Sequence, residues 1–233
     1  DDSIAEADVT WTQLAARSPL AGGSHNYVAV DDALHQQPFT HVRIVIHPDG
    51  GVARLRVYGS FVCDMEDCIA RRDLADLACV IHGARAVASS DDYFSEMGNL
   101  ILPGPSRNMG EGWETKRRRG PGHDWIVVQL GMPGIPEQVT IDTAHFKGNY
   151  PDSCELHAAT VAPGDTFPDP AREDGWTCLL EQTKLRADDE HHFAAPELMR
   201  PATPITHVRL RIHPDGGVAR LRVLCHPSAE HAS

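Results

Sequence analysis

No stretch of this chain of 233 residues is apolar for the length that a membrane-spanning helix needs. Positive charge is also scarce: 21 Lys and Arg stand against 33 Asp and Glu, a net charge of −12. A general nucleic-acid binder needs a basic surface for phosphate contacts, so that class is excluded. The cysteines at 63, 68, 79, 154, 178 and 225 form no CxxC pair. The opening DDSIAEADVTW has neither the basic nor the apolar region of a signal peptide. The cysteines therefore read as reduced, mostly buried thiols of a cytoplasmic protein. The missing initiator Met reads as a piece of a longer or trimmed chain. Absent too are a Gly-rich phosphate loop, a GxSxG elbow and a Cys/His pair with a local signature. No HxH or HExxH spacing supports a metal site, so none is assigned. A divalent metal held by His145, Asp142 and another histidine stays open, and no other cofactor is indicated.

What is present is a long phrase that occurs twice. Thr40–Val57 reads THVRIVIHPDGGVARLRV and Thr206–Val223 reads THVRLRIHPDGGVARLRV, with 16 of 18 positions identical at an offset of 206 − 40 = 166. Such identity is an internal repeat, and its period is too long for a solenoid. Each copy therefore closes one domain. Val42, Ile44 and Ile46 alternate with Arg43, Val45 and His47, and Ala53, Leu55 and Val57 alternate with Arg54 and Arg56. Period two predicts strands with one buried and one wet face. Pro48-Asp49-Gly50-Gly51 between the runs predicts a reversing turn, so the phrase reads as a hairpin. His41/His207, Arg43/Arg209 and Arg54/Arg220 fall on the face expected to be wet.

Residues 1–59 match the last part of the second unit, with Trp11 opposite Trp176 and His25 opposite His191. The stretch before Trp176 has no counterpart before Trp11. The expected layout is a first repeat represented by residues 1–59, a linker at 60–73, a complete second repeat at 74–225 and a tail at 226–233. Asp73 stands where a helix N-cap would, ahead of Leu74, Leu77, Ala78 and Ile81, with Gly83 as the stop. WIVVQL (125–130), QVTIDT (138–143) and CELHAATV (154–161) read as strands. Gly131-Met132-Pro133-Gly134 reads as a turn. Short strands, Gly/Pro turns and little helix predict an all-β protein, an antiparallel sandwich or jelly roll.

Two polar stretches can carry chemistry. In Arg107–Asp124, charges of both signs crowd one aromatic, Trp113, in a glycine-bearing loop. Glu114 there suits a general acid or base. One of Arg117, Arg118 and Arg119 suits a bidentate grip on a carboxylate, although most of Lys116–Arg119 reads as a solvated basic run. In Asp142–Asn149, Asp142, His145 and Lys147 cluster near a strand end. A shared site there requires a bend near Thr143, because Asp142 and His145 on a straight strand face opposite ways. His145 suits proton transfer near neutral pH, or packing with a backbone partner. Asp91-Asp92 with Asn99, and His191-His192, form weaker groups.

NLILPGPSRNMGEGWETKRRRGPGHDW (99–125), VTIDTAHFKGNYPDSCELHAA (139–159) and THVRLRIHPDGGVARLRV (206–223) together resemble the allantoicase family. The resemblance covers nearly all of 74–224, and 1–59 as the tail of a preceding copy. It implies a tandem of jelly-roll β-sandwich repeats of the galactose-binding-like type, the first repeat lacking its front. It also implies hydrolysis of allantoate to (S)-ureidoglycolate and urea in purine breakdown. On that chemistry Arg117 or Arg118 takes the substrate carboxylate. Glu114 or His145 protonates the departing urea nitrogen, and the other, or Asp142, activates water. Asn108 and Asn149 pair with a ureido group, beside Trp113. His47 and His213 ahead of the PDGG turns depart from the family pattern, with packing as the expected consequence. A non-catalytic small-ligand-binding sandwich and a poorly folded truncated homologue are the alternatives. Partners are then a small molecule and, through self-complementary sheets, a homo-oligomer.

Overall fold

The computed structural model describes residues 10–34, 37–59 and 65–229. The chain divides into two compact units, residues 1–62 and 63–233.

In the first unit the described residues carry one short 3-10 turn, Asp32–Leu34, and no strand. Val42, Ile44, Ile46, Leu55 and Val57 are exposed. The hairpin expected at 40–57 therefore forms no ladder. Its second-unit twin is paired with other strands of that unit, and the described residues of the first unit hold no such strand. One packing device survives: Arg43 lies over the Trp11 ring, 4.3 Å from its centroid.

The second unit opens with helix α1 (Glu66–Arg71), which falls inside the expected linker. It continues through β1 (Ala75–Asp76), β2 (Arg85–Ser89), β3 (Trp113–Glu114), β4 (Asp124–Asp142) and β5 (Ser153–Ala159). β6 (Thr177–Lys184), β7 (Glu190–Ala194), β8 (Ile205–His213), β9 (Gly217–Val218) and β10 (Arg220–Pro227) complete it. No helix among the described residues is long and apolar enough to cross a membrane. The helix expected from Leu74 to Ile81 is absent. β1 pairs with β10 there, and the Asp76 carboxylate accepts the Val223 and Ala78 N–H groups at 2.9 and 3.2 Å. Tertiary pairing overrides the local pattern. Gly83 does close a turn, the 3-10 segment Val80–His82.

β4 organises the sandwich. Its first half pairs with β8 on one side and β2 on the other. Its second half pairs with β10 and β7. Gly131-Met132-Pro133-Gly134 is thus no tight turn between paired arms. It is an extended corner that carries one strand from the first sheet to the second. Gly131 is required there, because a Cβ would stand 1.8 Å from the His82 carbonyl oxygen. The repeated phrase behaves likewise at the opposite end. β8 and β10 do not pair with each other: β8 joins β4 and β5, and β10 joins β4 and β1. Pro214–Ala219 is a second corner. Within it, Gly217 packs on Phe146 so closely that a Cβ would meet the ring at 1.9 Å.

The alternating apolar positions meet between the sheets. Ile126, Val128, Ile141, Leu156, Val208, Leu210, Leu221 and Val223 are all fully buried in one cluster. Each such side chain stabilises the fold by about 1.5–3 kcal/mol. The face expected to be wet is also buried in this unit. His207, Arg209 and Arg220 are each less than 10 % exposed. Arg209 lies over Trp176, 4.8 Å from its ring centroid, beneath the loop at 162–176. All five described cysteines are free, with Cys79, Cys154 and Cys225 buried. Burial pushes the Cys154 thiol up to about 12. Cys63 lies outside the described residues.

Candidate active site

The two corners place both ends of β4 at one rim. Asp124 stands opposite Ile212 and Asp142 opposite Arg220, the residues that flank the Pro214–Ala219 corner. The two polar stretches of the sequence, 107–124 and 142–149, therefore converge on that corner.

Glu114 is held from its backbone outwards. β3 pairs with β9, Glu114 facing Gly217, and the Phe94 N–H donates to the Glu114 carbonyl at 3.2 Å. Thr115 and Gly216 exchange hydrogen bonds immediately after it. Its half-buried carboxylate accepts the Asn149 side-chain N–H at 2.5 Å. The Asn149 carbonyl accepts the Gly217 N–H at 2.8 Å. Glu114 and Asn149, distant in sequence, are thus locked as a pair.

At the end of β4, the Asp142 carboxylate accepts the Ala144 N–H at 2.7 Å and the Phe146 N–H donates to the Thr143 carbonyl at 3.0 Å. This is the bend near Thr143 that a shared site requires. His145 sits just beyond it at φ 71. Asp188 holds that left-handed backbone by accepting the His145 N–H at 2.7 Å. The imidazole Nε2 lies 2.9 Å from the Ser106 carbonyl. Burial raises the Asp142 proton affinity above the ordinary carboxylate value. The Ala144 N–H opposes that rise, Glu190 adds to it, and Arg220 and His145 oppose it. A buried carboxyl with raised proton affinity is suited to proton transfer.

The loop 99–111 touches both pairs. His145 reaches its Ser106, and Asn149 reaches its Met109 sulfur at 3.9 Å. Asn108 lies exposed between them. Arg220 fastens the loop by donating to the carbonyls of Gly104, Asn99 and Glu111 at 3.0, 3.3 and 2.6 Å.

The other expected residues divide. Trp113 is fully buried, and its indole N–H donates to the Asp91 carbonyl at 2.8 Å. It is a core residue and presents no face to a ligand. Arg118 pairs with the buried carboxylate of Asp124, which also accepts the Ser90 hydroxyl at 3.0 Å. Its guanidinium is committed, whereas Arg117 is exposed. Asp91 accepts the Tyr93 and Lys116 N–H groups, and Asn99 donates to the Gly110 and Gly112 carbonyls. His191 is buried between the Ile141 carbonyl and the Arg186 N–H, while His192 faces outward beside Glu190. Among the described residues, no three His, Cys, Asp or Glu are grouped to hold a metal ion. Sequence reasoning missed Asp188, Ser106 and Met109, which have no motif. It placed Arg220 on a wet face, although the match to Arg54 was the available signal.

The fold and this rim define an antiparallel jelly-roll repeat that carries ionisable loops at one end. A family model described as the allantoicase repeat matches residues 1–62 and 75–228. The chain belongs to the allantoicase family. It is 48% identical over 218 residues to a probable allantoicase of Pseudomonas aeruginosa (strain LESB58), covering 94% of this chain and 64% of that protein. It is 45% identical to probable allantoicase 2 of Burkholderia pseudomallei, covering 93% and 62%. The crystal structure of Saccharomyces cerevisiae allantoicase superposes with a TM-score of 0.62 at 38% identity, covering 76% of this chain and 49% of that one. The chain thus spans a little under two thirds of the length of these bacterial relatives.

Proposed function

We propose that this chain hydrolyses allantoate to (S)-ureidoglycolate and urea. The observation that carries this reading is the convergence of Asp142–His145 and Glu114–Asn149 on the single loop 99–111. Family membership supplies the reaction. A water gives a proton to Asp142 as its oxygen bonds to the central carbon of allantoate. The bond from that carbon to one ureido nitrogen breaks, and Glu114 or His145 supplies the proton that the departing urea needs. The exposed Arg117 takes the substrate carboxylate, with Asn108 and Asn149 on the ureido groups. Residues 1–59 are read as the tail of a first repeat, 60–73 as the linker, 74–225 as the complete second repeat and 226–233 as the tail. The free thiols support a cytoplasmic location. A homo-oligomer is part of the same reading.

Urea release from allantoate by the purified chain tests it, with and without manganese and beside a thermal melt. Release is expected, and Glu114→Gln or His145→Asn is expected to lower kcat by about 10²–10⁴. A cooperatively melting chain that releases no urea sinks the proposal.

A further inference from the structure

The repeated phrases differ at two positions, Ile44/Leu210 and Val45/Arg211. Arg43 and Arg209, which do not differ, each lie on a tryptophan of their own unit. The Arg–Trp stack therefore belongs to the repeat itself. Arg211 does not, because the first copy holds valine there.

Arg209 and Arg211 are neighbours on the outward face of β8, both essentially buried. Across the ladder they face His157 and Glu155 of β5. Arg211 donates to Glu155 at 3.3 Å, and His213 lies 3.3 Å from the same carboxylate oxygen. His213 is thus part of a charged group and does more than pack. The ring of His123 stands 5.1 Å from it. Above this group runs the loop 162–176. Its Pro170 and Arg172 carbonyls accept from Arg209 at 3.0 and 2.5 Å.

One group from solvent completes the arrangement. Glu173, whose side chain is 68% exposed, sends its carboxylate inward across both guanidiniums. One oxygen is 3.1 Å from Arg209 and the other 2.5 Å from Arg211. The Nε–H groups of both arginines are buried and have no acceptor in the structure, and Nδ1 of His157 is likewise unpaired. Without Glu173, two buried cations would face Glu155 as the sole remaining carboxylate partner. A buried charge without a partner is strongly unfavourable, so the vacated place attracts an anion.

We propose that Arg209 and Arg211 form a seat for a small carboxylate bearing further acceptor oxygens, and that Glu173 is its tethered occupant. A free ligand binds by displacing Glu173, which loosens the loop 162–176. The tethered carboxylate competes at high effective concentration, so affinity in the unaltered protein is weak. The seat lies on the sheet face, built from β5, β8 and the covering loop. The proposed catalytic residues lie on other segments, and the inference does not depend on the reaction proposed for them.

Malonate is a suitable probe, and trypsin cleavage after Arg172, followed by mass spectrometry, is the readout. Arg172 is exposed, but its carbonyl is held by Arg209. Malonate is expected to speed cleavage there saturably, by about tenfold, because proteolysis follows the open population. Sodium chloride at matched ionic strength should not. Arg211→Val, the residue of the first copy, should cleave rapidly with no response to malonate. Glu173→Gln keeps both arginines and should be raised in melting temperature at roughly tenfold lower malonate than the unaltered protein needs. Equal effects of malonate and chloride on cleavage, or a Glu173→Gln variant whose melting malonate does not shift, would overturn the proposal.

Discussion

Arg220 stands directly opposite Asp142 in the β10–β4 ladder, yet its guanidinium turns to the carbonyls of Gly104, Asn99, Glu111 and Ala219. The pair thereby joins two tasks at one register. Asp142 remains a buried carboxyl at the rim, and Arg220 ties down the loop that both polar pairs touch.

Arg220→Met should therefore loosen the loop 99–111 and leave several carbonyls unpaired. A loss of about 2–4 kcal/mol is expected. It would be read as a lowered midpoint in denaturant, with faster tryptic cutting at Arg107. An unchanged midpoint would show that the loop holds itself.

Asp142→Asn should stabilise the fold at neutral pH while abolishing turnover. Burial raises the proton affinity of Asp142, so the folded state holds that proton more tightly than the unfolded chain does. Stability linked to this group is fully present below the unfolded carboxylate range and is lost as pH rises through the raised value. The amide keeps the acceptor for the Ala144 N–H without the buried charge. A melting temperature higher by a few degrees at pH 7 is expected, the gap closing towards about pH 4. A lower melting temperature at pH 7 would contradict this account.

His157 should make the second unit acid-sensitive. Burial first, then the charge of Arg209, lowers it to about 4 from its ordinary 6.5. The unfolded chain takes up the proton first, so this stability is present above about pH 6.5 and is lost as pH falls through about 4. At most about 3 kcal/mol is involved. His157→Gln should flatten the stability curve between those values, which denaturant titrations at stepped pH would reveal.

Much of the sandwich was legible because period two survives burial. β5, β8 and β10 follow the alternation of Leu156, Leu210 and Leu221. What failed was every reading in which a distant segment decides the outcome. Gly131–Gly134 has the composition of a turn, but the His82 carbonyl packed against Gly131 makes it a corner. Leu74–Ile81 has helical spacing, but β10 claims Ala75 and Asp76 as a strand. Arg209 and Arg211 alternate as a wet face should, and only the loop 162–176, invisible to local periodicity, buries them. At the rim, the bend near Thr143 could be anticipated from the sequence, because Asp142 and His145 on a straight strand would face opposite ways. The locking of Glu114 by Asn149 could not, because nothing local links residues 35 positions apart.

β4 leaves the rim at Asp124, crosses the far end of the sandwich at Gly131–Gly134 and returns to the rim at Asp142. One covalent span therefore carries both sides of the rim, like a tuning fork whose stem is the distant corner. A change at that stem moves both tines at once. The close contact of Gly131 with the His82 carbonyl therefore sets the path of the whole span, far along the chain from Asp124 and Asp142.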